Sequence, residues 1–297
     1  MITLSETLAA ALAADKPQRV LLEFLDENGD VLEDGTFSNE EIVMSRGVHI
    51  TAPFNGDKEL TVGLCPSSQI TFALLNDVRQ LSDFTFGECK AWLGARIDSG
   101  TPTMKTKTFT ENGQTVTYEF APLGIFKVDR PDIVQKDIID ITANDRMTRF
   151  DKEMPSDGEL GISQSAYPIT LLTMLQAMCS NVGVTLKNNS FLNSDLQISG
   201  RPQAFASKTM REVLKWIAEA AGSIARFTRS GELEMAWFAA TPVATYDEHH
   251  YKDFTPCWYE VAQIDGLKVR NTGETQESKY GTDPENPYII AGNPFLR

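Results

Sequence analysis

SKTMREVLKWIAEAAGSIARFTRSGELEMAWF, residues Ser207 to Phe238, carries three folding signals in one run. Thr209 and Glu212 stand three apart, the spacing at which each side chain accepts the other's backbone N–H at a helix start. Val213, Leu214, Ile217, Ala218 and Ala221 then recur at helical spacing as one apolar stripe, and Gly222 ends the helix. Beyond Gly222, Ser230-Gly231 turns the chain between two extended runs, with Leu233, Met235 and Trp237 on one face and Glu232 and Glu234 on the other. The stretch predicts one packed unit, a capped helix followed by a hairpin.

Upstream, a second helix is written the same way. Thr170 is its N-cap, Leu171, Leu172, Met174, Leu175, Met178 and Cys179 form its apolar face, and Gly183 closes it. A shift of 39 residues lays Thr170, Leu175 and Gly183 on Thr209, Leu214 and Gly222. Both an internal duplication and two independently capped helices fit that match. Between Phe150 and this helix, DKEMPSDGELGISQSAYP lacks periodicity and carries Pro155, Gly158, Gly161 and Pro168, which predicts a linker or long loop.

The first 150 residues read as β. RVLLEF at Arg19 to Phe24 runs into DENGD at Asp26 to Asp30, a strand and an Asn-Gly hairpin turn. A second Asn-Gly turn at Asn112-Gly113 is flanked by Thr, Val, Tyr and Phe at period two. Ile70, Phe72 and Leu74 alternate, Phe84 and Phe86 alternate in a strand leading to Gly87, and Ile139 and Ile141 oppose Asp140 and Thr142. Turns about every ten residues belong to a barrel or sandwich. The opening MITLSETLAAALAADK predicts a short helix, either packed on its own domain or held out as a partner-binding arm.

The expected fold is α+β, mainly β, with two β-barrel-like domains and a helix-hairpin insertion or subdomain. Residues 1–150 form a β-rich domain, 151–240 an α+β region with two amphipathic helices and a hairpin, and 241–297 a β or irregular segment that could complete a second barrel.

Composition narrows the function. The 297 residues are 41% hydrophobic and 23% charged, which is ordinary for a folded chain. A net charge of −14 repels phosphate backbones and argues against sequence-specific nucleic-acid binding. No run approaches the roughly 18 apolar residues of a membrane span, and the N-terminus lacks the pattern of a signal peptide. Cys65, Cys89, Cys179 and Cys257 are widely spaced and read as buried free thiols from a reducing compartment.

A search for chemistry assigns no catalytic, cofactor-binding or metal residue. His49 stands alone in a β run, and His249 and His250, with Asp247, Glu248 and Cys257 nearby, read as loop residues. Motifs of nucleophile elbows, zinc helices and phosphate loops are absent from the sequence. Pairs such as Asp137 with Asp140 or Glu232 with Glu234 arise by chance among 41 acids. Asp26 to Asp34, DENGDVLED, is out of register for a calcium loop and reads as a hairpin turn. Trp92, Trp216, Trp237 and Trp258 could stack a sugar, but Trp216 and Trp237 sit in the helix-hairpin unit and read as core or interface.

Several motifs, in order, resemble those of a known family: Phe37-Ser38-Asn39-Glu40-Glu41-Ile42, Phe84-Thr85-Phe86-Gly87-Glu88-Cys89 with Ala91, Gly124-Ile125-Phe126-Lys127-Val128, Tyr167-Pro168-Ile169-Thr170-Leu171, Thr209 to Leu214, Ile217 to Gly222, Arg229 to Leu233, Tyr288-Ile289-Ile290, and Asn293-Pro294-Phe295-Leu296. The sequence resembles the tail-tip or baseplate-hub proteins of tailed phages and prophages, the N-terminal hub region of tail-associated proteins related to the hub subunit of contractile tails. That resemblance implies a non-enzymatic homotrimeric ring at the virion tail tip, assembled in the bacterial host cytoplasm. Its partners would be the distal tail or tube, the central spike or fibre, and the tape-measure protein. An acidic lumen would let DNA pass without sticking. The family places the segment resembling Asn293 to Leu296 inside the hub, which implies a shortened protein. Two other readings stay open: a tail-associated peptidoglycan-degrading enzyme, and a carbohydrate- or receptor-binding tail module.

Overall fold

A computed structural model of the protein describes residues 4–52, 62–76, 84, 86–135, 137–237, 266–270, 277–280 and 287–296. After a helix, α1 (Glu6–Ala13), come eight strands: β1 (Gln18–Leu25), β2 (Val31–Phe37), β3 (His49–Thr51), β4 (Gln69–Leu75), β5 (Glu88–Ile97), β6 (Lys105–Glu111), β7 (Gln114–Gln135) and β8 (Ile138–Asp145). They form one sheet in the order β2-β1-β5-β7-β8-β4-β3, with β6 added on β7.

Alternation in the sequence decides what this sheet encloses. Leu22 and Phe24 of β1, Ile70, Phe72 and Leu74 of β4, and Ile139 and Ile141 of β8 all point inward and are buried together with Phe37, Cys89, Phe126 and Val128. For strands from both ends of the order to share one core, the sheet must curl. Its ends are joined by the segment after β2: the Val43 N–H donates to Ala73 O at 2.9 Å and the Leu75 N–H to Glu41 O at 2.8 Å. Among the described residues this is a curled sheet closed by a bridge, not a continuous barrel ladder.

β7 is 22 residues long and bends where its register to β5 slips, at Ala91/Trp92. Gly124 sits there at φ +156°, and a Cβ on it would lie 2.6 Å from the Phe126 ring, so the bulge demands glycine. The bend lets the β6–β7 hairpin curl over the sheet's outer face. Leu21 of β1 is buried together with the hairpin's own Tyr118 and Phe120, and the Arg19 guanidinium stacks 4.3 Å above the Phe109 ring while pairing with Glu111 at 2.9 Å. Asn112 and Gly113 both adopt positive φ, as the two-residue hairpin turn requires.

α1 is packed on its own domain and is not a free arm. Leu8 and Ala11 bury against Ala95 and Ala121. Beside them Glu119, fully buried, accepts the Thr7 hydroxyl and the N–H groups of Thr103 and Met104, the latter two at 2.9 Å.

The second unit holds β9 (Ile169–Thr170), α2 (Leu171–Asn181), β10 (Gln197–Ile198), α3 (Met210–Ala220), β11 (Ile224–Phe227) and β12 (Leu233–Ala236). Its capping follows the sequence reading in detail. The Thr209 hydroxyl accepts the Glu212 N–H at 3.2 Å, and the Glu212 carboxylate accepts the Thr209 N–H at 2.8 Å. Gly183 and Gly222 take left-handed φ values of +65° and +57°. The next N–H in each case folds back to close the helix, Val184 to Cys179 O at 2.9 Å and Ser223 to Ala218 O at 2.8 Å. The correspondence at 39 residues ends there: α3 feeds the β11–β12 hairpin, while residues 185–196 after α2 hold no strand. Thr209→Ala removes one half of the capping box and is expected to cost about 1 kcal/mol in urea unfolding.

One expectation is refined and one changes. Residues 151–168 are a long loop, one of the two readings, and it is packed into the fold. The Met154 N–H donates to Lys208 O at 2.7 Å, the Met210 N–H to Lys152 O at 2.8 Å, and Met154, Leu160 and Ile162 enter the helical core. Phe84 and Phe86 lie outside the strands, and β5 begins at Glu88; the two rings instead pack edge-on to Phe24 at 5.4 and 5.3 Å. Further along, β13 (Gly266–Arg270), β14 (Glu277–Tyr280) and β15 (Pro287–Ala291) make a three-stranded sheet. Among the described residues they do not close a second barrel. Phe295, just after them, joins the helical core and meets Phe205 edge-on at 5.9 Å.

Candidate functional site

A set of hydrogen bonds and ion pairs joins the curled sheet to the helical unit. It starts at Asp145, the last residue of β8. Its carboxylate accepts the Met147 N–H at 3.1 Å, starting a short 3-10 turn over Arg146–Phe150, and also the Ser67 hydroxyl and the Ser68 N–H, both at 2.8 Å. Burial pushes the Asp145 carboxyl above the usual range, and these bonds oppose the shift.

A 3-10 turn places residues three apart on one face, so Arg146 and Arg149 point the same way. Both reach Glu88 at the start of β5. Arg146 Nη2 lies 2.7 Å from Glu88 Oε2, and Arg149 pairs with Oε1. Burial works against ionisation of Glu88, yet the hydrogen bonds and charges of the two arginines outweigh it and hold its carboxyl below the usual range.

Each guanidinium also grips the helical unit. Arg149 Nη1 donates to Val182 O at 3.1 Å and Gly183 O at 2.9 Å, the carbonyls at the C-terminal end of α2, where a cation is favoured. Arg146 Nη1 donates to Gly231 O at 3.2 Å in the β11–β12 turn. Gly231 has φ +81°, and a Cβ there would meet Ile125 Cδ1 of β7 at 2.7 Å. The hairpin turn thus fits against the sheet because residue 231 is glycine. A second crossing lies nearby: the Gly63 N–H donates to Ser223 O and the Ala225 N–H to Leu64 O, each at 2.9 Å, while Cys65 is buried in the helical core.

Sequence reasoning quoted Glu88, the start of the Thr209 helix and the Ser230-Gly231 turn but assigned no role to Glu88, Arg146 or Arg149. The only local signal was Asp145, an acid placed before a turn. The pairing itself spans 58 and 61 residues.

The residues weighed for chemistry fall elsewhere. His49 is exposed on β3 and its ring Nε2 bonds Arg46 O at 2.9 Å. Asp140 pairs with Arg46, Glu234 with Lys187 at 2.6 Å and Arg226 at 3.0 Å, and Glu232 accepts the Ser230 hydroxyl at 2.9 Å. The Asp26 carboxylate accepts the N–H groups of Asn28 and Asp30, both at 2.9 Å, which makes it a hairpin turn. Burial raises the thiols of Cys65 and Cys179 to about 12, and that of Cys89 is raised as well. Trp216 stacks on Phe205 at 6.4 Å, Trp92 donates to Glu23 at 2.9 Å, and Trp237 is exposed just past β12. Among the described residues no three His, Cys, Asp or Glu side chains converge to hold a metal. Asp247, Glu248, His249, His250, Cys257 and Trp258 lie outside the described residues.

A cleft of about 900 Å³ runs between residues 196–204 and 292–295. Its charged group, Arg201, is held by Asp157 at 2.6 Å and by Pro155 O at 2.7 Å. Its buried amide, Asn293, donates to Trp216 O at 2.9 Å and Glu219 at 2.8 Å. Asn293 thus braces the C-terminal segment against α3, and Arg201 ties its own segment to residues 155–157. Among the described residues, no helix is long and apolar enough to cross a membrane.

No family model and no curated protein matches the chain. Among solved structures it is similar to the 43 kDa tail protein of prophage MuSo2 from Shewanella oneidensis, at 11% identity over 92% of this chain and 72% of that one, with a TM-score of 0.48. It is also similar to the tail protein from Neisseria meningitidis MC58, at 13% identity over 92% of this chain and 70% of that one, with a TM-score of 0.47.

Proposed function

We propose that the chain is a non-enzymatic structural component of a phage or prophage tail tip or baseplate hub, forming a trimeric ring that joins the tail tube to the central spike or fibre. The observation that carries this reading is the joint. A part that passes load between a tube and a spike needs two units fixed to each other, and Glu88, Arg146 and Arg149 tie the sheet, the end of α2 and the β11–β12 turn into one bonded knot. Two of its bonded partners lie in motifs that resemble the hub family, Glu88 in the Phe84 to Cys89 motif and Gly231 in the Arg229 to Leu233 motif. In this role the partners are further copies of the chain, the distal tail or tube, the spike or fibre and the tape-measure protein, at the virion tail tip after assembly in the host cytoplasm.

Two measurements on the full chain test the reading. Light scattering is expected to give three chains or a multiple of three. Peptidoglycan zymography is expected to show no clearing; reproducible clearing that one carboxylate substitution abolishes would replace the scaffold with an enzyme.

A further inference from the structure

Among the described residues the curled sheet has two long edge strands, β2 and β6, and they are built differently. β2 is blunted: its register to β1 breaks between Glu23 and Leu25, and Asp34 takes φ +57° in mid-strand. Such a bulge spoils a strand as a template for further pairing. β6 has no such guard. Its seven residues pair in unbroken register with β7, from Lys105↔Phe120 to Glu111↔Gln114, and among the described residues no strand pairs with its other side.

The register fixes which groups that edge presents. In a hairpin closed by Asn112-Gly113, Glu111 and Gln114 exchange both backbone bonds, and bonded pairs then alternate. Lys105, Lys107, Phe109 and Glu111 therefore spend their N–H and C=O groups on β7. Thr106, Thr108 and Thr110 aim theirs outward, and their side chains are exposed.

We propose that this edge pairs antiparallel with the same edge of a second copy of the chain, about a two-fold axis through Thr108. The sequence KTKTFTE is self-complementary in that register. Thr108 meets Thr108 of the second copy, and Thr106 meets Thr110. These three bonded pairs exchange about six backbone hydrogen bonds between β-branched residues suited to extended structure. Lys107 falls opposite Phe109 and Lys105 opposite Glu111, opposite charges at both ends of the contact. Parallel in-register pairing is disfavoured because it stacks Lys105 on Lys105 and Lys107 on Lys107. Within one chain Lys105 already pairs with Glu23 and Glu111 with Arg19, so the terminal charges steer the register while the threonine backbone holds it. This contact goes beyond the ring: a two-fold added to a threefold ring gives a double ring, and without a ring it gives a dimer.

Thr108→Pro is the discriminating variant. The Thr108 N–H takes no part in the β6–β7 ladder, so the hairpin tolerates proline there, while pairing with a second copy loses its central donor. Light scattering of the 297-residue chain is expected to show an even number of chains, halved by T108P. Six falling to three upholds both the ring and this contact; two falling to one upholds the contact and removes the ring. A mass of three that T108P leaves unchanged upholds the ring and overturns the contact, as does any other mass that T108P does not alter. Thr108→Cys gives a reading independent of T108P folding, because the two-fold brings the two Cα atoms to about 5.5 Å, within disulfide reach. Mild oxidation is expected to crosslink T108C into dimers and to leave the parent protein uncrosslinked; failure of T108C to crosslink overturns the proposal.

Discussion

Phe24→Ala is expected to destabilise the protein by about 3–5 kcal/mol, the largest effect of any single truncation in the curled sheet. Phe24 is fully buried, and its ring lies 5.5, 5.4 and 5.3 Å edge-on from Phe37, Phe84 and Phe86, with Phe72 tilted at 6.4 Å. These rings come from β1, β2, β4 and the segment before β5, so one side chain fills the space on which the curl closes. Its loss removes several aromatic pairs and leaves a cavity that rigid strands cannot collapse around. Urea unfolding measures the effect. Phe24→Leu, which keeps most of the volume, is expected to lose much less, and equal losses for the two variants would mean that the cluster does not close the sheet.

Glu88→Ala is the second large effect, acting on the joint and not on a core. Removing one partner of a buried ion pair costs about 3–5 kcal/mol, but Glu88 retains 14% of its side-chain exposure, Arg146 19% and Arg149 28%. Screening at that exposure brings the expected loss to about 2–3 kcal/mol. The loss should carry a pH signature. The folded pKa of Glu88 is depressed, so its stabilisation is present above the ordinary glutamate value of about 4.3 and fades as pH falls through the lower folded value. The stability difference between parent and variant is therefore expected to be full at neutral pH and to shrink in acid. Asp145 has the opposite sign, because its raised folded pKa favours the protonated form, but it is common to both proteins and cancels in the difference. A difference independent of pH would show that Glu88 does not act through its charge.

The parts of the fold legible in the sequence are those encoded within a few residues. The capping box at Thr209, the glycine stops at Gly183 and Gly222, and the Asn28-Gly29 and Asn112-Gly113 turns each need only a local pattern, and each forms as read. Alternation placed Ile139 and Ile141 on the buried face of β8 for the same reason. Residues 151–168 read as a linker or long loop and are a long loop, but its packing was not legible because Met154, Leu160 and Ile162 reach the core at irregular spacing from a segment rich in glycine and proline. Phe84 and Phe86 alternate like a strand, but here the alternation reflects their place in an aromatic cluster. The joint was hidden for a different reason. Glu88, Arg146 and Gly231 come from three distant stretches, and each has an adequate local explanation of its own. Only the curl of the sheet brings them together.

The central claim is that this bonded pair of units is a ring-forming scaffold. Electron microscopy of the full chain, purified without reducing its concentration below the micromolar range, tests it most directly. The account predicts particles with a threefold axis and a central opening, whether single or stacked as a double ring. Monomers, or closed particles of another symmetry without an opening, would contradict it.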